Sequence, residues 1–120
     1  MTGGLVTPMG ADDVPGSHAL LVDAFAVPDT PAAHVAEIDR PDRVWLVHVT
    51  DGVVDGTIGL LLAPDDVAEV LHLAVAPAQR RRGIGGALLD AGLAAVTNAG
   101  ADQLHLEVAV ANTAARGLYA

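Results

Sequence analysis

The sequence predicts a single α/β domain with a mixed sheet and elements in the order β-α-α-β-β-β-α-β. Three observations carry this prediction. Two apolar runs flank the turn signal Asp51-Gly52, which is typical of a β-hairpin. An apolar strand ending at Pro77 leads into a glycine-rich turn and a long apolar helix. A further alternating run begins at Leu104. Because 120 residues suffice for one hydrophobic core, we assign residues 1–120 to one domain.

The first part of the chain is predicted to form a short strand and two helices. The strand covers residues 5–7. Since Ser17 is a good N-cap residue and follows Pro15-Gly16, we place the first helix at 17–25. Pro31 suits the first turn of a second helix, which ends at Ile38.

The second part is predicted to contain four strands and one helix. The hairpin comprises residues 44–50 and 53–62, the next strand 69–76, the helix 85–99 and the last strand 104–110. The helix is apolar around most of its circumference, which indicates packing against a sheet.

Composition narrows the class of protein. The formal charge is −9, lysine is absent, and three of the six arginines are consecutive, so the rest of the chain is more acidic still. Such a body repels nucleic acid and acidic membranes, and no apolar run is long enough to cross a bilayer. Cysteine is absent and no basic N-terminal region precedes an apolar one, so we expect a cytoplasmic protein. The five histidines show no metal-ligand spacing, and no metal is expected.

The arginine run and the glycines after it predict an anion site. The segment reads Arg80, Arg81, Arg82, Gly83, Ile84, Gly85 and Gly86. Backbone N–H groups at a helix start lack intrahelical partners, glycine lets a ligand approach them, and arginine supplies charge. A phosphate or pyrophosphate fits such a site. A Walker A loop is excluded because lysine is absent, and Leu88 stands where a dinucleotide fingerprint needs a third small residue.

Two motifs resemble one family. Arg80-x-x-Gly83-x-Gly85, preceded by a Leu-Ala-Val-x-Pro strand end, closely resembles the acetyl-CoA motif of the GCN5-related N-acetyltransferases (GNAT). Asn112-x-x-Ala115-x-x-Leu118-Tyr119 is similar to that family's next conserved segment. The resemblance is specific from about Glu69 to Tyr119, and two motifs in the right order are more specific than one.

The resemblance implies the acyl-CoA N-acyltransferase (GNAT) fold and transfer of an acetyl group from acetyl-CoA to a primary amine by direct attack. Its central strands are expected to splay around the pantetheine arm. The residues implied in acetyl-CoA binding are Leu73, Ala74, Val75, Arg80, Arg81, Arg82, Gly83, Ile84, Gly85, Gly86 and Asn112. The acceptor amine cannot be read from the sequence.

The resemblance also suggests which residues move protons. Glu69 is the first candidate for the base that deprotonates the amine, with Glu107 and His72 as alternatives. Simple alternation puts Glu69 on the same face as Leu71, Leu73 and Val75, although a bulge would change that inference. Tyr119 matches the tyrosine that protonates the departing thiolate in many members of the family.

The family pattern continues beyond this sequence. It predicts a helix at 112–119 and then a two-stranded hairpin that the 120 residues do not include, so we expect a C-terminally incomplete domain. A strand edge without its neighbour would favour a homodimer through that edge. The competing hypothesis is a catalytically degenerate GNAT-like module that binds acyl-CoA or a partner protein.

Overall fold

The computed structural model describes residues 4–25, 31–77 and 83–105 and confirms the mixed architecture. The strands are β1 (Leu5–Pro8), β2 (Arg43–Thr50), β3 (Val53–Ala63), β4 (Val67–Val75) and β5 (Gln103–His105); the helices are α1 (Val14–Phe25), α2 (Pro31–Ile38) and α3 (Ile84–Asn98). The sheet order is β1-β2-β3-β4-β5. Pairing is antiparallel from β1 to β4 and parallel between β4 and β5. The predicted element order is therefore confirmed.

Helices cover both faces of the sheet. The chain leaves β4, passes through α3 and returns as β5, so α3 is the crossover that makes this pair parallel. The core on the α3 face contains Leu46, Ile58, Leu60, Ala68, Val70, Leu73, Ile84, Leu88 and Val96. The core on the face covered by α1 and α2, called the α1/α2 face below, contains Met9, Val14, Leu21, Trp45, Val47 and Ala74.

The predicted turn between β2 and β3 is confirmed. Asp51 and Gly52 have φ values of 51° and 78°, so both adopt the left-handed conformation that a two-residue hairpin needs. The turn between β3 and β4 has three residues, 64–66, of which Asp65 and Asp66 also have positive φ values, 66° and 61°. The acidic pair that interrupts the apolar pattern is thus a second tight turn.

The predicted start of α1 is wrong. A short 3-10 turn at Ala11–Asp13 leads directly into α1, which begins at Val14. Pro15 is tolerated because the first helical turn does not use its N–H groups. Ser17 is fully buried, and its hydroxyl bonds to His34 and Thr57 rather than capping the helix. The starts of the later elements agree with the predictions within two residues.

Two of the six arginines form ion pairs where the chain enters β2. Arg43 contacts Glu37 at 3.3 Å and Asp42 at 3.0 Å, and Arg40 contacts the same two carboxylates. The hydrogen bond from Arg40, together with the charges of both arginines, lowers the pKa of the Asp42 carboxyl below its ordinary value of 3.8. No helix in the described parts of the chain is long and apolar enough to cross a membrane.

Candidate functional site

A bulge in β4 reverses the direction of its side chains. Gly59 pairs with His72 whereas the next residue, Leu60, pairs with Val70, so Leu71 is the extra residue. A bulge places two residues of one strand opposite one residue of the other and bends the strand locally. The strand therefore pairs with β3 on both sides of the bulge but loses simple alternation at its centre.

This bulge corrects the predicted facing of Glu69. Val70 and Leu73, three positions apart, lie in the same core against α3, and Val75 packs against that core. Glu69 alternates with Val70 before the bulge, so it lies on the α1/α2 face instead. The prediction that Glu69 shares a face with Leu73 and Val75 is wrong, because the extra residue Leu71 shifts the phase of alternation.

Glu69 is half-buried and has His105 as its neighbour on the parallel strand. On its other side it pairs with Leu61 of β3. Leu104 packs in the α3-face core, so His105 projects to the same face as Glu69. Sequence reasoning missed this neighbour, because the register of a parallel pair depends on the crossover and leaves no local signal.

Beyond the bulge, His72 and Trp45 lie in one row across the α1/α2 face. Trp45 pairs with Gly59, and Gly59 pairs with His72. A Cβ atom at Gly59 would lie within 2.5–2.7 Å of the Trp45 ring, so only glycine lets the indole cross the middle strand. The indole stacks with His72, with ring centroids 6.1 Å apart, and meets the edge of His34 at 4.5 Å.

The side chains at the end of β4 pack into the two hydrophobic cores. Leu73 and Ala74 are almost completely buried on opposite faces, and Val75 is half-buried. Their backbones pair with β3, whereas β5 within the described residues pairs with Val67–Glu69. Any role of Leu73, Ala74 and Val75 in binding therefore belongs to their backbone groups.

The glycine-rich turn ends at an uncapped helix start. Gly83 is the N-cap of α3 with φ at 79°, and no side chain among the described residues caps the helix. A Cβ atom at Gly83 would find open space, so the left-handed backbone rather than crowding accounts for glycine here. Ile84 is buried, whereas Gly85 and Gly86 are half-buried. The first turn of α3 contains no acidic residue, so its N–H groups face no carboxylate of that turn.

Comparison with known proteins agrees with this arrangement. Residues 16–120 match the model of the Acetyltransferase (GNAT) family. The chain belongs to the GNAT family. It is 29% identical over 115 residues to a Bacillus subtilis (strain 168) protein described as a putative ribosomal protein bS18-alanine N-acetyltransferase, covering 95% of this chain and 76% of that protein.

Two other GNAT comparisons extend this result. The chain is 35% identical over 80 residues to the mycothiol acetyltransferase of Beutenbergia cavernae. This match covers 66% of this chain and 27% of that protein. The solved structure of aminoglycoside N-acetyltransferase AAC(6')-Iy in complex with CoA superposes with a TM-score of 0.83 at 17% identity, covering 99% of this chain and 86% of that one. The GNAT fold is therefore shared, whereas the named acceptors differ.

Several predicted site residues of this GNAT domain lie outside the described residues. They are Arg80, Arg81, Arg82, Glu107, Asn112 and Tyr119. The described part holds the strand before the arginine run and the helix after it, and Glu69 lies on β4, which leads into that run.

Proposed function

We propose that this protein is an N-acetyltransferase that moves the acetyl group of acetyl-CoA directly to a primary amine. The amine nitrogen attacks the thioester carbonyl carbon, the new C–N bond forms, and the C–S bond breaks with its electron pair on sulfur. The amine loses one proton and the thiolate gains one. No covalent enzyme intermediate is invoked, and the sequence has no cysteine to form one.

The observation that carries the proposal is the start of α3 in a chain of the GNAT family. Its first turn offers backbone N–H groups, the positive end of the helix dipole and two residues without side chains. The chain has a formal charge of −9, yet no carboxylate occupies this turn. These features fit the pyrophosphate of CoA, and the relative solved in complex with CoA supports the same choice.

Positive charge for this anion would come from Arg80, Arg81 and Arg82. The arginines that do lie within the described residues, Arg40 and Arg43, are engaged with Glu37 and Asp42. Arg43 is the first residue of β2 and lies in one row with Leu61 and Glu69. This row is at the end of the sheet opposite Val75 and the glycine turn. The arginine run is therefore the better partner for an anion at α3.

We assign Glu69 as the base. It lies on the face opposite the packed α3 core, and its half-buried position allows contact with a bound amine. His72 lies on the same face beyond the bulge but stacks against Trp45, which makes it the second choice. Tyr119 is proposed as the proton donor to the thiolate, on the family pattern alone. Within this proposal the protein acts in the cytoplasm, which a cysteine-free sequence permits.

The acceptor is a primary amine of unassigned structure. The relatives are named for a ribosomal-protein alanine, mycothiol and aminoglycosides. These acceptors differ in size and charge, so no single one carries over. A panel of N-terminal alanine peptides, amino sugars and polyamines would sample these classes.

The test of the cofactor site is calorimetric titration of acetyl-CoA into the wild type, Gly85→Trp and the control Ala94→Trp. Ala94 is exposed on α3 about two and a half turns beyond Gly85, so a tryptophan there adds similar bulk away from the helix start. We expect saturable binding by wild type and control and loss of at least about tenfold in affinity for Gly85→Trp. Equal affinity in all three would refute the site, and binding without turnover of any amine would favour the degenerate module.

A further inference from the structure

The α3 face buries a carboxylate whose partners are a histidine and a threonine. Nδ1 of His48 lies 2.6 Å from Oδ1 of Asp55, and the Thr50 hydroxyl donates to Oδ2 at 2.7 Å. Asp55 is 3% and His48 7% exposed. An ionised carboxylate only accepts hydrogen bonds, so in that form Asp55 accepts one from each of these two residues. Both carboxylate oxygens of Asp55 are thus hydrogen-bonded to residues of the neighbouring strand, β2.

A second bulge makes this cluster possible. His48 pairs with Gly56 whereas Val49 pairs with Val54, so Asp55 is the extra residue in β3. The bulge turns the Asp55 side chain to the face of His48 and Thr50, the face that α3 covers. Without the extra residue, the strand would alternate through this position, as it does elsewhere.

The cluster lies beneath the start of α3. A Cβ atom at Gly56 would come within 2.8 Å of both Ile84 and Leu88 and within 3.4 Å of the Cβ atom of His48. Ile84 is the first residue of α3, so its first turn rests on the backbone next to Asp55. Glycine at 56 allows this close approach.

Asp55 also bonds to the backbone at the end of β4, where the segment between β4 and α3 begins. Its backbone carbonyl accepts a hydrogen bond from the N–H of Ala76, at 2.9 Å, directly after β4 ends at Val75. The segment from Ala76 to Gly83 contains the arginine run. Asp55 therefore bonds to Ala76, where this segment leaves the sheet, and lies beneath Ile84, where α3 begins.

We propose that Asp55, with His48 and Thr50, is the positioning residue that fixes the spacing between the end of β4 and the start of α3, and so orients the first turn of α3 for pyrophosphate. This inference rests on the proposed function for its ligand. Asp55 does not touch the reacting atoms in this account. It acts through the backbone of Ala76 and the first turn of α3, so it controls cofactor affinity rather than the chemical step.

The opposite face supplies a matched control. Ser17, Thr57 and His34 form a buried hydrogen-bonded group there, with Ser17 2.7 Å from the Thr57 hydroxyl and 3.0 Å from Nε2 of His34. Ser17→Ala removes a buried polar contact as Asp55→Ala does, but away from α3. Asp55→Asn keeps the shape and most hydrogen bonds of the native side chain, and serves as the conservative variant.

Calorimetry and steady-state kinetics on wild type, Asp55→Ala, Asp55→Asn and Ser17→Ala test the proposal. We expect Asp55→Ala to weaken acetyl-CoA binding by about tenfold and to raise KM for acetyl-CoA with kcat changed less than about twofold. Asp55→Asn should recover most of the affinity, and Ser17→Ala should bind as wild type does. An equal affinity loss for Asp55→Ala and Ser17→Ala would overturn the proposal, because the effect would then be general destabilisation.

Amide hydrogen exchange gives a readout that needs no ligand. The reporters are the N–H of Ala76 and that of Ala87, which donates to the carbonyl of Gly83 at 3.0 Å in the first turn of α3. We expect exchange at both to be at least about tenfold faster in Asp55→Ala than in Ser17→Ala. Unchanged exchange at both overturns the positioning role. If wild type does not bind acetyl-CoA, the proposed function fails, whereas this comparison still decides the role of Asp55.

Discussion

The two faces of the sheet each bury a polar cluster beneath a helix, and the two clusters differ in their chemical groups. On the α1/α2 face, His34, Ser17 and Thr57 form a hydrogen-bonded chain of imidazole and hydroxyl groups that ends at the carbonyl of Leu46, 3.5 Å from the Thr57 hydroxyl. On the α3 face, the cluster centres on the carboxylate of Asp55. Buried ionised groups are costly unless they are paired.

The difference separates two tasks. Hydroxyl and imidazole groups can join α1 to the sheet without burying a carboxylate, which suits a supporting role. Burying a carboxylate costs more desolvation free energy than burying a hydroxyl, which fits the role in placing α3 that we propose for Asp55. The face carrying Glu69 would then govern the chemical step, and the face carrying Asp55 would govern cofactor binding.

The largest expected effect comes from Glu69→Gln, which removes the proposed base and keeps the size of the side chain. We expect kcat to fall by about 10²- to 10⁴-fold, because the amine then lacks its proton acceptor, while the dissociation constant of acetyl-CoA stays within about twofold. Steady-state kinetics with calorimetry on the same sample measure both quantities. Wild-type turnover by Glu69→Gln would move the base to His72 or Glu107.

A smaller, structural difference is expected from removing one leucine from each core. Leu88 is completely buried against the α3 face and Leu21 is 2% exposed on the other. Either change to alanine should lower the free energy of unfolding by about 2–5 kcal/mol, measured by urea denaturation. Leu88→Ala should also weaken acetyl-CoA binding, since it loosens α3 one turn from Ile84. If Leu21→Ala weakened acetyl-CoA binding as much as Leu88→Ala, the assignment of cofactor binding to the α3 face would be wrong.

The smallest effect concerns the ion pairs at the start of β2, which belong to neither cluster. The pKa of Asp42 is lowered in the folded state, so its contribution to stability is present above the ordinary value of 3.8 and is lost as pH falls through the folded-state pKa. Arg40→Gln should raise this pKa toward 3.8, as followed by NMR titration of the carboxyl. Because Asp42 is exposed, the melting temperature should change little at neutral pH. An unchanged pKa would show that Arg43 alone supplies the effect.

Local patterns predicted the elements well and their facing less well. The Asp51-Gly52 turn and the glycine at the start of α3 demand particular backbone conformations, and short-range chemistry shows them. The bulges at Asp55 and Leu71 have no such signal, since each depends on how two strands align. Each shifts the alternation of its own strand by one residue, and the bulge at Leu71 places Glu69 and Leu73 on opposite faces.

The partners of the buried polar side chains could also not be predicted from local sequence patterns. Ser17 has the residue type of a helix cap, and only packing against Thr57 and His34 gives its hydroxyl other partners. The His48–Asp55 pair joins two strands across the predicted hairpin, yet simple alternation without the bulge does not bring these side chains together. Such contacts follow from register, which the pattern of one strand does not contain.

The row of Trp45, Gly59 and His72 has a spectroscopic consequence. Trp45 is the sole tryptophan of the sequence, and its indole is buried between two imidazole rings on the α1/α2 face. A protonated imidazole in contact with an excited indole quenches its emission, whereas a neutral one quenches it less. The native fluorescence of this protein therefore reports the charge state and packing of a single face, without any introduced label.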